Sequence, residues 1–366
     1  MLETKAKETM KQGSVFGQIT EMEHEQLVVC HDKATGLKAL VGIHNTTLGP
    51  ALGGTRMWPY ATEEEAITDV LRLSRGMTFK NALAGLNLGG GKAVIIGDPK
   101  MKNEAFLRRF GRFIEGLSGR YVTAEDVNMS TADMEYIAME TKHVTGLPET
   151  RGGGGDPSPV TAYGTYIGMK AAAKKAFGSD SLEGKTIAVQ GVGQVGRFLI
   201  DYLVKEKADI LISDIFEDKL KKVAAETGAT IVDPNLIYEV EMDIYAPCAL
   251  GATLNDDTID KLKCQVIAGA ANNQLKDEEK HGLELQNRGI IYAPDFLINA
   301  GGVINVGAEY LGGHDKETVY RQTEKIYDTC LEIFEKSERE QISAQLAAIK
   351  VAKERIEAIG RVKLSF

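Results

Sequence analysis

Short apolar runs at strand spacing and longer runs at helical spacing alternate along the chain, and their order divides it into two parts. Leu27 to Cys30 and Lys38 to His44 read as strands joined by the turn-forming D-K-A-T-G, so the chain opens with a strand pair. From Glu63 to Arg75, the residues Ala66, Ile67, Val70, Leu71 and Leu73 recur at the spacing of an amphipathic helix. Ala93 to Ile96 then reads as strand, Phe106 to Leu117 as amphipathic helix and Tyr121 to Thr123 as strand. The run R-G-G-G-G-D-P-S-P, Arg151 to Pro159, breaks both periods. Four glycines followed by prolines continue neither a helix nor a central strand, so a linker or hinge is expected there.

Beyond the break, Val160 to Phe177 reads as one helix. Strand-like runs at Thr186 to Gln190, Ile210 to Ser213, Ile244 to Ala246, Val266 to Ala268 and Ile290 to Tyr292 then alternate with helical ones, the rhythm of a doubly wound parallel sheet. Thr318 to Val362 carries two long amphipathic helical patterns and no further strand. At 366 residues the chain suits two domains. The fold class expected is α/β, with a Rossmann-type doubly wound domain and an N-terminal α/β domain.

Composition narrows the function classes. A net charge of −9 without a basic block argues against a nucleic-acid or anionic-membrane surface and leaves a small molecule as the expected partner. No apolar run approaches the roughly 20 residues that span a bilayer, and Met1 to Gly13 is a mixed-charge segment, helical or frayed, without an apolar stretch; a cytoplasmic protein is expected. Cys30, Cys248, Cys264 and Cys330 are scattered without C-x-x-C pairing, which indicates reduced thiols and neither a disulfide framework nor a metal site.

Two places carry chemistry. Lys92 follows Gly89, Gly90 and Gly91 directly and precedes an apolar run, with Lys80 upstream and Asp126 in the downstream T-A-E-D. A lysine that is desolvated and close to a second cation has a lowered pKa, which suits a general base; the plain alternative is a pair of surface lysines flanking a tight turn. The second place is the strand I-A-V-Q followed at once by G-V-G-Q-V-G, Gly191, Val192, Gly193, Gln194, Val195 and Gly196, then by a helical run, with Asp214 ending the next strand. A lone G-x-G-x-x-G says little, but strand before, helix after and an acid about 20 residues on form a dinucleotide-binding fingerprint. The carboxylate of Asp214 would accept from the adenine ribose and repel a 2′-phosphate, so NAD is expected rather than NADP. An FAD site usually lies near the N-terminus of its chain, whereas this motif is mid-chain.

The order of these motifs resembles the glutamate, leucine, phenylalanine and valine dehydrogenase family, most closely its leucine-oxidising branch. The resemblance runs through T-L-G-P-A-L-G-G-T-R-M-W (Thr47 to Trp58), G-L-N-L-G-G-G-K (Gly85 to Lys92), P-S-P-V-T-A-Y-G (Pro157 to Gly164), A-P-C-A-L-G-A (Ala246 to Ala252), A-A-N-N-Q-L (Ala270 to Leu275) and N-A-G-G-V-I-N-V (Asn299 to Val306). It implies a substrate-binding and oligomerisation domain over residues 1–148, a Rossmann domain over 149–331, a cleft between them that closes in turnover, and a C-terminal helix, about 332–366, packing back toward the first domain. It implies a homo-oligomer, by family an octamer. Carried over to this chain, Lys92 is the catalytic lysine, Asp126 its acidic partner, and Lys80 with Asn299 the clamp on the substrate α-carboxylate. Thr161 is implied to contact the nicotinamide carboxamide, with Cys248, Ala249 and Asn272 at the cofactor's edge.

The same resemblance implies a side-chain pocket of Leu52, Gly53, Met77, Ala124, Val303 and Val306. All are apolar, with no cation to pair a γ-carboxylate, so branched aliphatic L-amino acids are expected as substrates, oxidised with NAD to 2-oxo acids and ammonium, and glutamate is disfavoured. Two other readings are a phenylalanine dehydrogenase and a non-catalytic NAD-binding or amino-acid-sensing protein of the same fold. The chain departs from the family pattern at Asn128-Met129-Ser130, at Gly307-Ala308 and in the four-glycine hinge, which looks looser than usual; Asn128 tolerates left-handed geometry.

Overall fold

The computed structural model of the chain describes residues 14–312 and 314–363; Met1 to Gly13, expected to be helical or frayed, lies outside them. The chain forms two compact units. One comprises the residues through Gly155 together with Val306–His314 and the chain from Arg355 on; the other comprises Asp156–Asn305 and Asp315–Glu354.

In the first unit, helix α1 (Val15–Glu21) leads into the antiparallel pair β1 (Gln26–Asp32) and β2 (Leu37–Asn45), as the alternation predicts. Strands β3 (Ala51–Leu52) and β4 (Thr55–Trp58) follow, then helix α2 (Glu63–Leu83), β5 (Gly89–Ile96), α3 (Glu104–Glu115), β6 (Tyr121–Val122) and α4 (Thr131–Ala138). The sheet runs β1-β2-β5-β3-β6, with β4 also paired to β5. Its two faces have separate cores: Leu40 and Val94 pack against Val70 and Leu71 of α2, while Val41, Ile43 and Ile95 pack against Phe106, Phe110 and Ile114 of α3. Strands β3 and β4 are too short and too close to glycines to show a period in the sequence.

Helix α2 outruns its apolar pattern. It starts at Thr62, whose side chain accepts the Glu65 N–H, and continues past Arg75 to Leu83. The buried face becomes mixed: Phe79, Ala82 and Leu83 are buried beside Ser74, Thr78 and Asn81, which bond to His24 (2.8 Å), His44 (2.8 Å) and the Gly89 carbonyl (2.5 Å). Hydrophobic periodicity cannot register a helix face satisfied by hydrogen bonds.

The second unit opens with α5 (Ser158–Phe177) and continues through β7 (Thr186–Gln190), α6 (Gln194–Lys205), β8 (Asp209–Ser213), α7 (Glu217–Thr227), β9 (Thr230–Ile231), β10 (Ile244–Pro247), β11 (Val266–Ile267), α8 (Glu278–Asn287), β12 (Ile291–Tyr292) and α9 (Asp295–Ile298). All its strand pairs are parallel, in the order β12-β11-β10-β7-β8-β9. The chain therefore winds one way from β7 to β9 and the other way from β10 to β12, leaving the switch point between β7 and β10. Helix α10 (Gly301–Tyr310) begins in this unit and ends in the first.

Three helices, not two, close the chain: α11 (Lys316–Glu324), α12 (Ile326–Glu340) and α13 (Ala344–Lys363). Gln341 ends α12 in a left-handed conformation, φ +54°, with its side-chain amide donating to the Glu338 carbonyl, a backbone break that apolar spacing runs straight through. Among the described residues, no helix is long and apolar enough to cross a membrane.

Candidate active site

The three glycines before Lys92 are strand, not turn. A Cβ on Gly89 would lie 2.0 Å from the Asn45 carbonyl oxygen, one on Gly90 2.1 Å from the Thr78 nitrogen, and one on Gly91 2.7 Å from the Tyr121 ring. Side chains are absent because β5 is pressed against α2 on one face and Tyr121 on the other. By strand alternation Lys92 points to the face of Gly90, the one α2 covers. Its register partner, Gly42, is itself held against Ser74 of α2.

Lys92 is 5% exposed, and its Nζ lies 2.9 Å from Oδ1 of Asp126. The other carboxylate oxygen, Oδ2, accepts from Nε of Arg56 at 2.9 Å. Arg56 in turn donates through Nη1 to Asp69 at 3.1 Å, and the Tyr60 hydroxyl donates to the same Asp69 oxygen at 2.5 Å. Burial pushes the Asp126 carboxyl up, but the Lys92 ammonium and the Arg56 guanidinium outweigh it and hold the group well below the usual carboxylate range. Asp126 is delivered by a close approach: a Cβ on Gly54 would meet the Glu125 carbonyl at 2.2 Å and the Asp126 Cβ at 3.0 Å. Asn128 takes the left-handed conformation expected of it, φ +61°, with its amide donating to the Met57 carbonyl, and Ser130 caps α4 in a reciprocal box with Asp133.

Lys80 is half-buried on the last turn of α2, one turn beyond Met77. Of the residues expected in the pocket, Gly53 is beside Met77, a Cβ on it lying 3.1 Å from Met77 Cγ; its N–H donates to the Val122 carbonyl, and the Ala124 carbonyl accepts from the Thr55 N–H. Leu52 has no exposed surface. Arg56, Asp69 and Tyr60 were not anticipated. Arg56 stands in the T-R-M-W run, yet nothing in local spacing links it to a residue 70 positions away.

Glu309, which follows the Gly307-Ala308 departure, has no signal in the sequence either. Its carboxylate accepts the N–H groups of Gly146 (3.1 Å), Leu147 (3.2 Å) and Gly154 (3.0 Å). Only Gly154 of these lies in the four-glycine segment, which is thereby tied at one N–H, and Gly153 has no space for a side chain, its Cβ position falling 1.8 Å from the Leu147 carbonyl oxygen. At Gly307 the same helix passes Leu86 and Leu88 at contact distance.

In the second unit, the fingerprint glycines hold three different positions at the carboxyl end of β7. Gly191 has φ +106°, open only to glycine, and faces Ala249 and Cys248. Gly196 would put a Cβ 2.1 Å from the Gly191 carbonyl oxygen, so it sets the close packing of α6 on the strand. Gly193 has nothing within 4 Å of its Cβ position, and it caps α6 without any side chain over the first-turn N–H groups. That combination of open space and unclaimed donors at a helix N-terminus fits a dinucleotide pyrophosphate. Asp214, just past β8, accepts the Val192 N–H at 2.7 Å and the Phe216 N–H at 2.9 Å, one on each oxygen; each oxygen retains a lone pair for a ribose hydroxyl.

Cys248 follows β10, half-buried, its sulfur accepting the Ala270 N–H at 3.5 Å and its thiol pushed up to about 12 by burial. Asn299 joins the A-A-N-N loop: its Nδ2 donates to the Ala270 carbonyl (3.1 Å) and to Asn272 Oδ1 (2.8 Å), while its buried Oδ1 has no partner. In this arrangement its free atom is an acceptor, so holding a carboxylate requires the amide to turn or to release a partner. Thr161 donates to the Pro157 carbonyl and borders α10, where a Cβ on Gly302 would lie 2.8 Å from its Oγ1.

Asp256, His281 and Glu284 cluster closely enough to suggest a metal site, but His281 Nδ1 accepts the Asp277 N–H, so its Nε2 carries the proton and faces Asp256 at 3.1 Å. The histidine is part of a hydrogen-bonded cap on α8 and has no nitrogen lone pair left for a cation.

Residues 24–143 match the dimerisation domain of the Glu/Leu/Phe/Val dehydrogenases, and residues 152–216 and 212–362 match the glutamate/leucine/phenylalanine/valine dehydrogenase domain. The leucine dehydrogenase of Thermoactinomyces intermedius is 58% identical over 353 residues, 96% of each chain. The crystal structure of L-tryptophan dehydrogenase from Nostoc punctiforme superposes with a TM-score of 0.84 at 44% identity, covering 94% of this chain and 99% of that one. A hetero-hexameric glutamate dehydrogenase from Thermus thermophilus shares the fold, with a TM-score of 0.78 at 20% identity over 97% and 98% of the two chains.

Proposed function

The chain belongs to the glutamate/leucine/phenylalanine/valine dehydrogenase family and is an amino-acid dehydrogenase, and from that premise we propose that it oxidatively deaminates branched-chain aliphatic L-amino acids with NAD. The family is NAD(P)-dependent; the choice of NAD rests on Asp214, whose carboxylate offers acceptors to ribose hydroxyls and repels a 2′-phosphate. The bound cofactor supplies the hydride acceptor. The observation that carries the reading is the buried Lys92–Asp126 pair.

Loss of hydride from Cα leaves an iminium that water attacks. Lys92 takes a proton from that water, and Asp126 carries protons to and from the nitrogen until ammonia departs and the 2-oxo acid remains. Lys80 and Asn299 are assigned to the α-carboxylate, and Leu52, Gly53, Met77, Ala124, Val303 and Val306 to the side chain. Thr161, Cys248, Ala249 and Asn272 are assigned to the cofactor alongside the fingerprint. A buried γ-carboxylate among those apolar residues would have no cationic partner, at a greater cost than a poorly filled apolar pocket, whereas one methylene decides only about 1–3 kcal/mol. The dimerisation domain supports a homo-oligomer, and an octamer is the assembly proposed.

NADH formation with leucine, isoleucine, valine, phenylalanine, tryptophan and glutamate in parallel tests this. Faster turnover of the three aliphatic substrates than of the aromatic ones, with glutamate nearly inert, is the expected result. Equal turnover of glutamate overturns the pocket assignment; faster turnover of an aromatic substrate moves the protein to another branch of the family; no turnover of any of them favours a binding protein.

A further inference from the structure

Asp126 faces two cations, and only one of them is a candidate for chemistry. Its oxygens are divided: Oδ1 meets Lys92 and Oδ2 meets Arg56, both at 2.9 Å. Arg56 cannot donate a proton at any relevant pH and sits on β4, clamped from its far side by Asp69 of α2, which the Tyr60 hydroxyl also holds. The side chains therefore form an alternating row, Lys92, Asp126, Arg56, Asp69, each half-buried or buried. Such a row fixes the carboxylate plane, because a guanidinium donates along rigid N–H directions where a lysine in its place would swivel.

We propose that Arg56 is a positioning residue for the deamination: by occupying Oδ2 it fixes the orientation of Asp126 and leaves Oδ1 as the atom that exchanges protons beside Lys92. The inference rests on the assignment of Asp126 to proton transfer. Burial favours the neutral carboxyl, and Arg56 together with Lys92 keeps it ionised as well as aligned. Asp69 acts one step further out by holding Arg56, and Tyr60 completes the far end.

The test is a double-mutant cycle on the full-length enzyme, read as kcat and KM for leucine and NAD. Arg56→Gln should lower kcat roughly 10²-fold, the scale of misaligned proton-transfer groups, with both KM values within about threefold of wild type. Arg56→Lys should recover part of that loss by restoring charge without the fork. In an Asp126→Asn background, Arg56→Gln should cost less than about twofold more, because its effect passes through the carboxylate. Additive losses, or a fall in kcat matched by a rise in both KM values, overturn the proposal. If Arg56→Gln does not accumulate as folded protein, Asp69→Asn reads the same link: a loss of about 3–10-fold in kcat that vanishes with Asn at 126 supports it, and an unchanged kcat or a loss that persists there overturns it. Full turnover in Asp126→Asn alone is a separate result, which removes Asp126 from the chemistry and the proposal with it.

Discussion

The fingerprint of the second unit is built from backbone, the cluster around Lys92 in the first unit from side chains. At the fingerprint, Gly191 supplies a left-handed φ, Gly196 a close approach and Gly193 an open space beneath unclaimed N–H groups, all within six consecutive residues. At Lys92, the interacting groups are Arg56, Asp69, Lys92 and Asp126, drawn from β4, α2, β5 and the loop after β6, and brought together across up to 70 positions of sequence. A backbone site is a local motif with fixed spacing. A side-chain site is built by topology, and its members carry no shared spacing.

The comparison is sharpest within the glycines. Gly196→Ala should destabilise the second unit by about 1–3 kcal/mol, since its Cβ position lies 2.1 Å from a carbonyl oxygen, read as a fall in the denaturation midpoint. Gly193→Ala should leave that midpoint within about 0.5 kcal/mol while weakening NAD binding at least about tenfold, because its Cβ enters space the protein leaves open. Equal effects of the two on stability would mean that the glycines are not divided between packing and ligand approach.

Asp214→Ala should narrow the preference for NAD over NADP, measured as the ratio of kcat/KM values. It should also cost about 1 kcal/mol of stability, because the Val192 and Phe216 N–H groups lose their acceptor. An unchanged cofactor ratio would remove the carboxylate from ribose selection.

How much of this was legible follows the same division. Five strands of the second unit are readable because buried parallel strands are continuous apolar runs bounded by turns, whereas their order and the switch point need coordinates. The first unit was read in part: its hairpin and α3 show clean periods, but α2 hides its last turns behind Ser74, Thr78 and Asn81, and the glycines of β5 look like a turn because tight packing and tight turning use the same residue. Glu309 carries no signal in the sequence; that it gathers the N–H groups of Gly146, Leu147 and Gly154 needs coordinates.

The polar seam under α2 shows in stability against pH. Burial, with the Arg75 charge adding to it, lowers His24 to about 4 against backbone carbonyls that raise it, while its ring bonds to Ser74 and lies edge-on to His44 at 4.7 Å. A histidine lowered in the folded state binds its proton first in the unfolded chain. Stability is therefore full above pH 6.5 and declines as pH falls toward 4, by on the order of 3 kcal/mol over that window. Urea titrations from pH 7 to 5 should show this slope in wild type and a shallower one in His24→Asn; equal slopes would assign the acid sensitivity elsewhere.

The central claim is that chemistry resides in Lys92 and its carboxylate while cofactor binding resides in the other unit. Lys92→Ala tests it most directly, with leucine turnover and NAD affinity measured on the same preparation. The account predicts a loss of kcat of at least about 10³-fold with the Kd for NAD within about threefold of wild type. Substantial remaining turnover, or a parallel loss of NAD binding, would contradict it.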